Sequence, residues 1–171
     1  PSVRWDFNNQ WGYIRPKIGV HATYYDLGSF GNQSGRHVSR ILPIFNVDTG
    51  MTFERNANLF GNAYLQTLEP RLFYNYIPTK SQNDLPNFDT SENSFSYNQL
   101  FRENLYVGND RINSANSLTA AVQTRFFNPN NGAELFRAGI GQKFYLKNDN
   151  VLLDGSVGRY ERSQSDWVGF A

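Results

Sequence analysis

The sequence predicts an all-β fold, an antiparallel transmembrane β-barrel segment of about seven strands. Three observations predict it. Apolar and polar residues alternate with period two over runs of about 10 to 14 residues, longer than the soluble mode of about 5 to 6 and long enough for a tilted membrane-crossing strand. Aromatic residues make up 16% of the chain, with 14 Phe, 10 Tyr and 3 Trp, and many fall near the ends of these runs, where interfacial girdles sit. Connections alternate between compact and very long, as in barrels with short turns on one side and long loops on the other.

Composition narrows the alternatives. At 171 residues and net charge +1 the chain is about one domain long, and a soluble domain of this size buries roughly 70% of its unfolded surface. Mean hydropathy is −0.58 with only 18% charged residues, so the polarity comes from uncharged side chains, above all Asn. Abundant aromatics and low net charge argue against disorder. No run approaches the roughly 18 apolar residues of a membrane helix, and the charge balance gives no reason to expect nucleic acid. The absence of cysteine removes disulfides, thiolate metal sites and thiol nucleophiles. Pro1 follows no basic or apolar leader, which reads as mature or internal sequence.

Along the chain, Ile14 to Tyr24 places Ile14, Pro16, Ile18, Val20, Ala22 and Tyr24 on one face and Arg15, Lys17, Gly19, His21, Thr23 and Tyr25 on the other. Val38 to Asp48 is a blurred strand, because Leu42 and Ile44 share a face with Arg40, Asn46 and Asp48. Leu68 to Tyr76 sets Leu68, Pro70, Leu72, Tyr74 and Tyr76 against Glu69, Arg71, Phe73 and Asn75. A polar excursion follows over about residues 78–116, expected as a long extracellular loop. Within it Tyr97, Leu100, Phe101 and Leu105 predict a short helix near Ser96 to Asn104, packing the loop onto the barrel mouth. Leu118 to Phe126 and Phe136 to Leu146 alternate again, joined by the Asn-, Pro- and Gly-rich turn at Asn128 to Glu134. Asp166 to Ala171 opens another strand. Pro16, Pro43 and Pro70 each remove a ladder donor, read as tolerance at bulges ahead of a sheet built to loosen. A half-buried soluble sandwich is the other architecture with such alternation.

Chemistry-bearing residues are few. His21 and His37 stand on separate segments without a carboxylate at ligand spacing, and Asp84, Asp89 and Glu92 read as solvated loop charges. The glycines from Gly28 to Gly35 precede no Lys or helix, so no phosphate cradle is expected. Lys147 to Gly155 lacks the acidic spacing of a calcium loop. No catalytic site, metal or cofactor is expected.

An ordered set of motifs then carries a resemblance: Phe53 to Arg55 (FER), Gln66 to Arg71 (QTLEPR), Tyr74 to Pro78 (YNYIP), Gln82 to Thr90 (QNDLPNFDT), Leu100 to Asn104 (LFREN), Gly108 to Ile112 (GNDRI), Thr124 to Phe126 (TRF) and Ile140 to Tyr145 (IGQKFY). In this order they resemble the LptD family of outer-membrane lipopolysaccharide-assembly proteins, most clearly over Ile41 to Tyr145. The resemblance implies a barrel of roughly 26 strands in the outer membrane of a Gram-negative bacterium. It also implies a lipoprotein plug, LptE, in the lumen, a periplasmic lipopolysaccharide-transport bridge acting through a domain absent here, and lipid leaving through a lateral opening. Residues 1–171 are then an internal part of the transmembrane barrel domain, and no gate role passes to Pro16, Pro43 or Pro70.

The function so implied is lipopolysaccharide transport and insertion into the outer leaflet, without covalent chemistry. Arg15, Lys17, Glu69, Arg71, Gln123, Arg125, Arg137 and Lys143 are expected to face the lumen, either meeting the plug or lipopolysaccharide sugar or forming a hydrated wall, while the opposite face meets outer-membrane lipid. Asp89, Arg102, Asp110 and Arg111 match family motifs in the long loop and are expected in an ion-paired lid. A porin or substrate-specific channel is the alternative, marked by charge rings and an inward loop. An outer-membrane enzyme comes third, marked by a His and carboxylate cluster at the rim.

Overall fold

The structure, a computed structural model, describes residues 1–28, 36–83, 85, 91–92, 96–108, 110–159 and 162–171. One nine-stranded antiparallel sheet contains β1 (Ser2–Arg4), β2 (Phe7–Asn9), β3 (Gly12–Leu27), β4 (Arg36–Met51), β5 (Phe53–Leu59) and β6 (Asn62–Ile77). Two connection strands, β7 (Ser91–Glu92) and β8 (Tyr106–Val107), pair with each other, and the sheet resumes with β9 (Ala115–Phe127) and β10 (Glu134–Tyr145). After a small hairpin of β11 (Asp149–Val151) and β12 (Val157–Arg159), β13 (Val168–Phe170) closes the order β1-β3-β4-β6-β9-β10-β13, which is the expected seven strands. The four strands β3, β4, β6 and β9 run 13 to 16 residues, beyond the limits that alternation alone had drawn. Among the described residues the sheet does not close on itself.

Three tight turns gather at one end of the sheet. Asn9 Oδ1 accepts the Trp11 and Gly12 amides at 2.9 and 2.8 Å, fixing the Gln10–Trp11 turn. Phe60 and Gly61 both take positive φ, 53° and 80°, the type I′ geometry that matches hairpin twist. At 128–133, Asn128 Oδ1 accepts the Asn130 amide at 2.9 Å and Gly132 adopts φ 69°. The connections at 28–35, 78–114 and 146–167 all leave from the opposite end. Length therefore does segregate by side.

Each wall proline faces a gap in one ladder. Because backbone N–H groups alternate sides along a strand, Pro16 looks toward the break between β1 and β2, Pro70 toward the break between β4 and β5, and Pro43 toward the stretch of β4 before its β6 ladder begins at Phe45↔Tyr76. No regular ladder bond is forfeited, which is how a central sheet accommodates them.

The two faces differ in kind. On one, Ile14, Ile18, Val20, Ile41, Phe45, Leu68, Leu72, Val122 and Ile140 are each at least 36% exposed, the kind of exposed apolar face that marks a contact with lipid or another apolar partner. On the other, registered rows run across the strands, one of them Arg15, Asp48, Phe73, Thr119 and Lys143, the next Tyr13, Gly50, Arg71, Ala121 and Gly141. The blur in β4 has a physical cause: Leu42 (1% exposed), Ile77 and Ile112 form a core with Ile44 and Ala115 where the long connection packs back on this face. The helix expected near Ser96 to Asn104 is a five-residue 3₁₀ turn, Tyr97–Phe101, too short for α-helical cooperativity.

Candidate functional site: the charged face and its cover

All eight residues expected to line a lumen share the charged face, and strand register sets their partners. Arg71 in β6 grips Asp48 in β4 with Nε and Nη2 at 2.8 and 2.7 Å, and its guanidinium carbon lies 3.8 Å over the Phe101 ring. Glu69 accepts from Thr67 at 2.8 Å, Gln123 at 2.6 Å and Arg125 at 2.7 Å. Toward the turn end Arg125 and Arg137 share Glu134, at 3.7 and 2.8 Å. Arg15 meets Asp6 at 3.0 Å, and Lys17 meets Glu103 of the long connection at 2.6 Å. The face is thus largely self-neutralised: apart from the local pairs Arg4–Asp6 and Arg137–Glu134, its described ion pairs join separate parts of the sheet or wall and connection. Lys143 differs: it is 4% exposed beneath the connection, without an ion pair among the described residues.

The long connection does more than cap an end. It runs inward along the charged face, with Thr119 donating to the Leu100 carbonyl at 2.8 Å, Asn75 to the Glu103 carbonyl at 2.8 Å and Asn46 to the Glu103 carboxylate at 2.8 Å. At its tip Tyr97 meets Phe101 and the β13 residue Phe170 edge to face, with ring centroids 5.5 and 4.7 Å away. Burial there raises the Tyr97 phenol above its ordinary value, against the pull of Arg71. At the base, Arg40 (1% exposed) reaches the Asp110 carbonyl at 2.6 Å and the Gln82 side chain, while Tyr25 donates to the Asp110 carboxylate at 2.6 Å. Arg111 donates to the carbonyls of Leu85 and Leu153. Arg102 is exposed and Asp89 lies outside the described residues.

Sequence patterns had not singled out Asp48, Arg40, Gln82 or Glu103. Their signal was faint: Arg40 and Asp48 sat in the blurred strand, and Gln82 and Glu103 were two polar letters inside motifs. Two open hollows border the tip, one of about 540 Å³ beside Arg4, Asp6, Arg15, Lys17 and Glu103, and one of about 220 Å³ beside Tyr13, Glu69, Arg71 and Gln123.

Among the described residues, candidate chemistry elsewhere does not assemble. No group of three His, Cys, Asp or Glu that could hold a metal occurs among the described residues. His37 contacts Tyr24 and Asp26 at 2.9 and 3.2 Å, apart from His21, which contacts Thr23 at 3.3 Å. Asp149 is engaged by Lys147 at 3.0 Å and Asp154 by the Ser156 hydroxyl and amide, so neither is arrayed as a calcium ligand. Asp84, Asp89, residues 29–35 and the Glu92 side chain lie outside the described residues. An inward connection is also a porin feature, so geometry alone leaves that alternative open.

Comparison with known proteins gives the family. The family model described as LptD, LPS transport system D, matches residues 1–171. The chain belongs to the LptD family. Among LptD relatives, the LPS-assembly protein LptD of Neisseria meningitidis serogroup A is 71% identical over 171 residues, covering 100% of this chain and 21% of the relative. Those of Chromobacterium violaceum and Aromatoleum aromaticum are 49% identical over 150 residues and 46% over 171, covering 87% and 100% of this chain and 19% and 22% of the relatives. The chain thus spans about a fifth of the LptD relatives it matches.

Proposed function

We propose that these strands are part of the wall of an outer-membrane β-barrel that delivers lipopolysaccharide to the outer leaflet. The observation that carries the reading is the LptD match over the whole chain, laid on a sheet with one exposed apolar face and one charged face. The apolar face meets lipid and the charged face lines a wet lumen. Phosphorylated sugar then travels in water while acyl chains stay apolar, so neither is stranded in the wrong solvent. Because the wall's cations are mostly matched by carboxylates, a passing phosphate meets no deep well. The wall guides and does not trap.

The side bearing the tight turns is periplasmic and the side bearing the long connections is extracellular, with residues 78–116 as a lid over the lumen. Arg15, Lys17, Glu69, Arg71, Gln123, Arg125 and Arg137 present hydrated, paired charge to sugar or to the LptE plug, and Lys143 supports the lid from beneath. The periplasmic bridge engages the full-length protein elsewhere. No step makes or breaks a covalent bond. Depletion of the full-length protein tests this: newly made lipopolysaccharide should stop reaching the surface while small-solute uptake holds. Falling uptake with normal lipopolysaccharide arrival would identify a porin instead.

A further inference from the structure

The two long connections are joined to each other differently from the way their tip is joined to the wall. Arg111, 3% exposed, donates from Nε to the Leu153 carbonyl at 2.9 Å and from Nη2 to the Leu85 carbonyl at 2.7 Å, so one guanidinium spans both connections. The Gln82 main-chain N–H donates to the Gly155 carbonyl at 2.9 Å, the Tyr106 hydroxyl to the Val151 carbonyl at 2.7 Å and the Ser114 hydroxyl to the Asp149 carbonyl at 2.7 Å. Main chains touch directly at Gly155, which has φ 90° and where a Cβ would stand 2.4 Å from the Gln82 carbonyl oxygen. In each of these bonds between described residues the acceptor is a main-chain carbonyl. Ionic strength has little hold on such buried bonds, and breaking one leaves a desolvated donor and acceptor unmatched.

The tip is held to the wall by the Thr119 and Asn75 bonds to the Leu100 and Glu103 carbonyls and, unlike the joint, by an ion pair as well. Glu103 meets Lys17 with side chains 31% and 25% exposed, and the same carboxylate takes the Asn46 amide at 2.8 Å. Partly exposed ion pairs are weak and yield to salt. We infer that the described parts of both connections form a single body with Arg111 as its internal clamp, and that Glu103 latches the tip to the wall, so that the tip leaves the wall without the joint unravelling. The role of this motion rests on the lid reading above; the single body does not.

Amide exchange on the full-length protein in a bilayer tests the inference. Glu103→Gln, or high salt, should speed exchange several-fold over 97–105 and leave 106–113 and 149–158 as they were. Arg111→Lys keeps the charge but cannot span two carbonyls, and it should speed 106–113 and 149–158 together by similar factors. Gly155→Ala should do the same from the other side, and it carries the test if the Arg111 variant fails to assemble. Loosening of one connection alone by these variants, or equal loosening of 149–158 by Glu103→Gln, would overturn the single body. The lid reading fails separately: if a disulfide from Lys17→Cys with Glu103→Cys leaves lipopolysaccharide delivery intact, the cover is no lid although it is one body.

Discussion

Val122 and Gln123 are chain neighbours with opposite surroundings. Val122 is 36% exposed on the apolar face, registered with Pro70 and Ile140, while Gln123 donates to Glu69 at 2.6 Å on the charged face. Val122→Arg should cost about 2 to 4 kcal/mol, the price of a cation at a midplane lipid site. Gln123→Arg should cost much less, since the new cation lands beside Glu69. Unfolding titrations in lipid check the pair, and equal defects would overturn the facing assignment. Arg71→Lys should destabilise by about 1 to 2 kcal/mol, between exposed and buried pair values, because Lys cannot reproduce the two-pronged grip on Asp48 and the stack on Phe101. Gly50→Val should harm assembly more than Gly50→Ala, since even a Cβ there comes within 2.8 Å of the Tyr13 ring.

At the scale of elements, length and position of connections carry the topology. An engineered Cys replacing Arg159, exposed in the second long connection, should react with a membrane-impermeant label on intact cells, and one replacing Asn131 in the tight turn should not. The reverse pattern would invert the sidedness. The wall strands were legible because period-two patterning is written locally: β3 and β9 alternate cleanly, β10 does so apart from Gln142, and the turn at 128–133 announces itself in Asn, Pro and Gly. Strand ends were not, since the pattern fades near the interfaces, as where Arg55 and Gln66 pair at 2.8 Å toward the turn end. Leu42 and Ile44 confused the pattern because their burial depends on Ile112, some 70 residues away, and no local period records that. Glu103 was invisible for the same reason. Its value lies in three strands it does not neighbour in sequence.

For the whole molecule, the nine strands of the sheet fall along a path of seven, and the proposed function gives each face its own solvent. A soluble sandwich would hide the face bearing Ile14, Ile18, Phe45, Leu72 and Ile140 against a second sheet, and among the described residues nothing covers it. The charged face instead carries its own small core and ion pairs under the cover. The chain belongs to the LptD family, and the membrane setting proposed above is one in which that asymmetry would be stable. The central claim is that this sheet is a wall between lipid and water, and spin labels placed one at a time from Ala120 to Arg125 in the full-length protein in a bilayer test it most directly. Labels at 120, 122 and 124 should relax with dissolved oxygen and those at 121, 123 and 125 with a water-soluble nickel complex. Accessibility without that alternation, or with its phase reversed, would contradict the account.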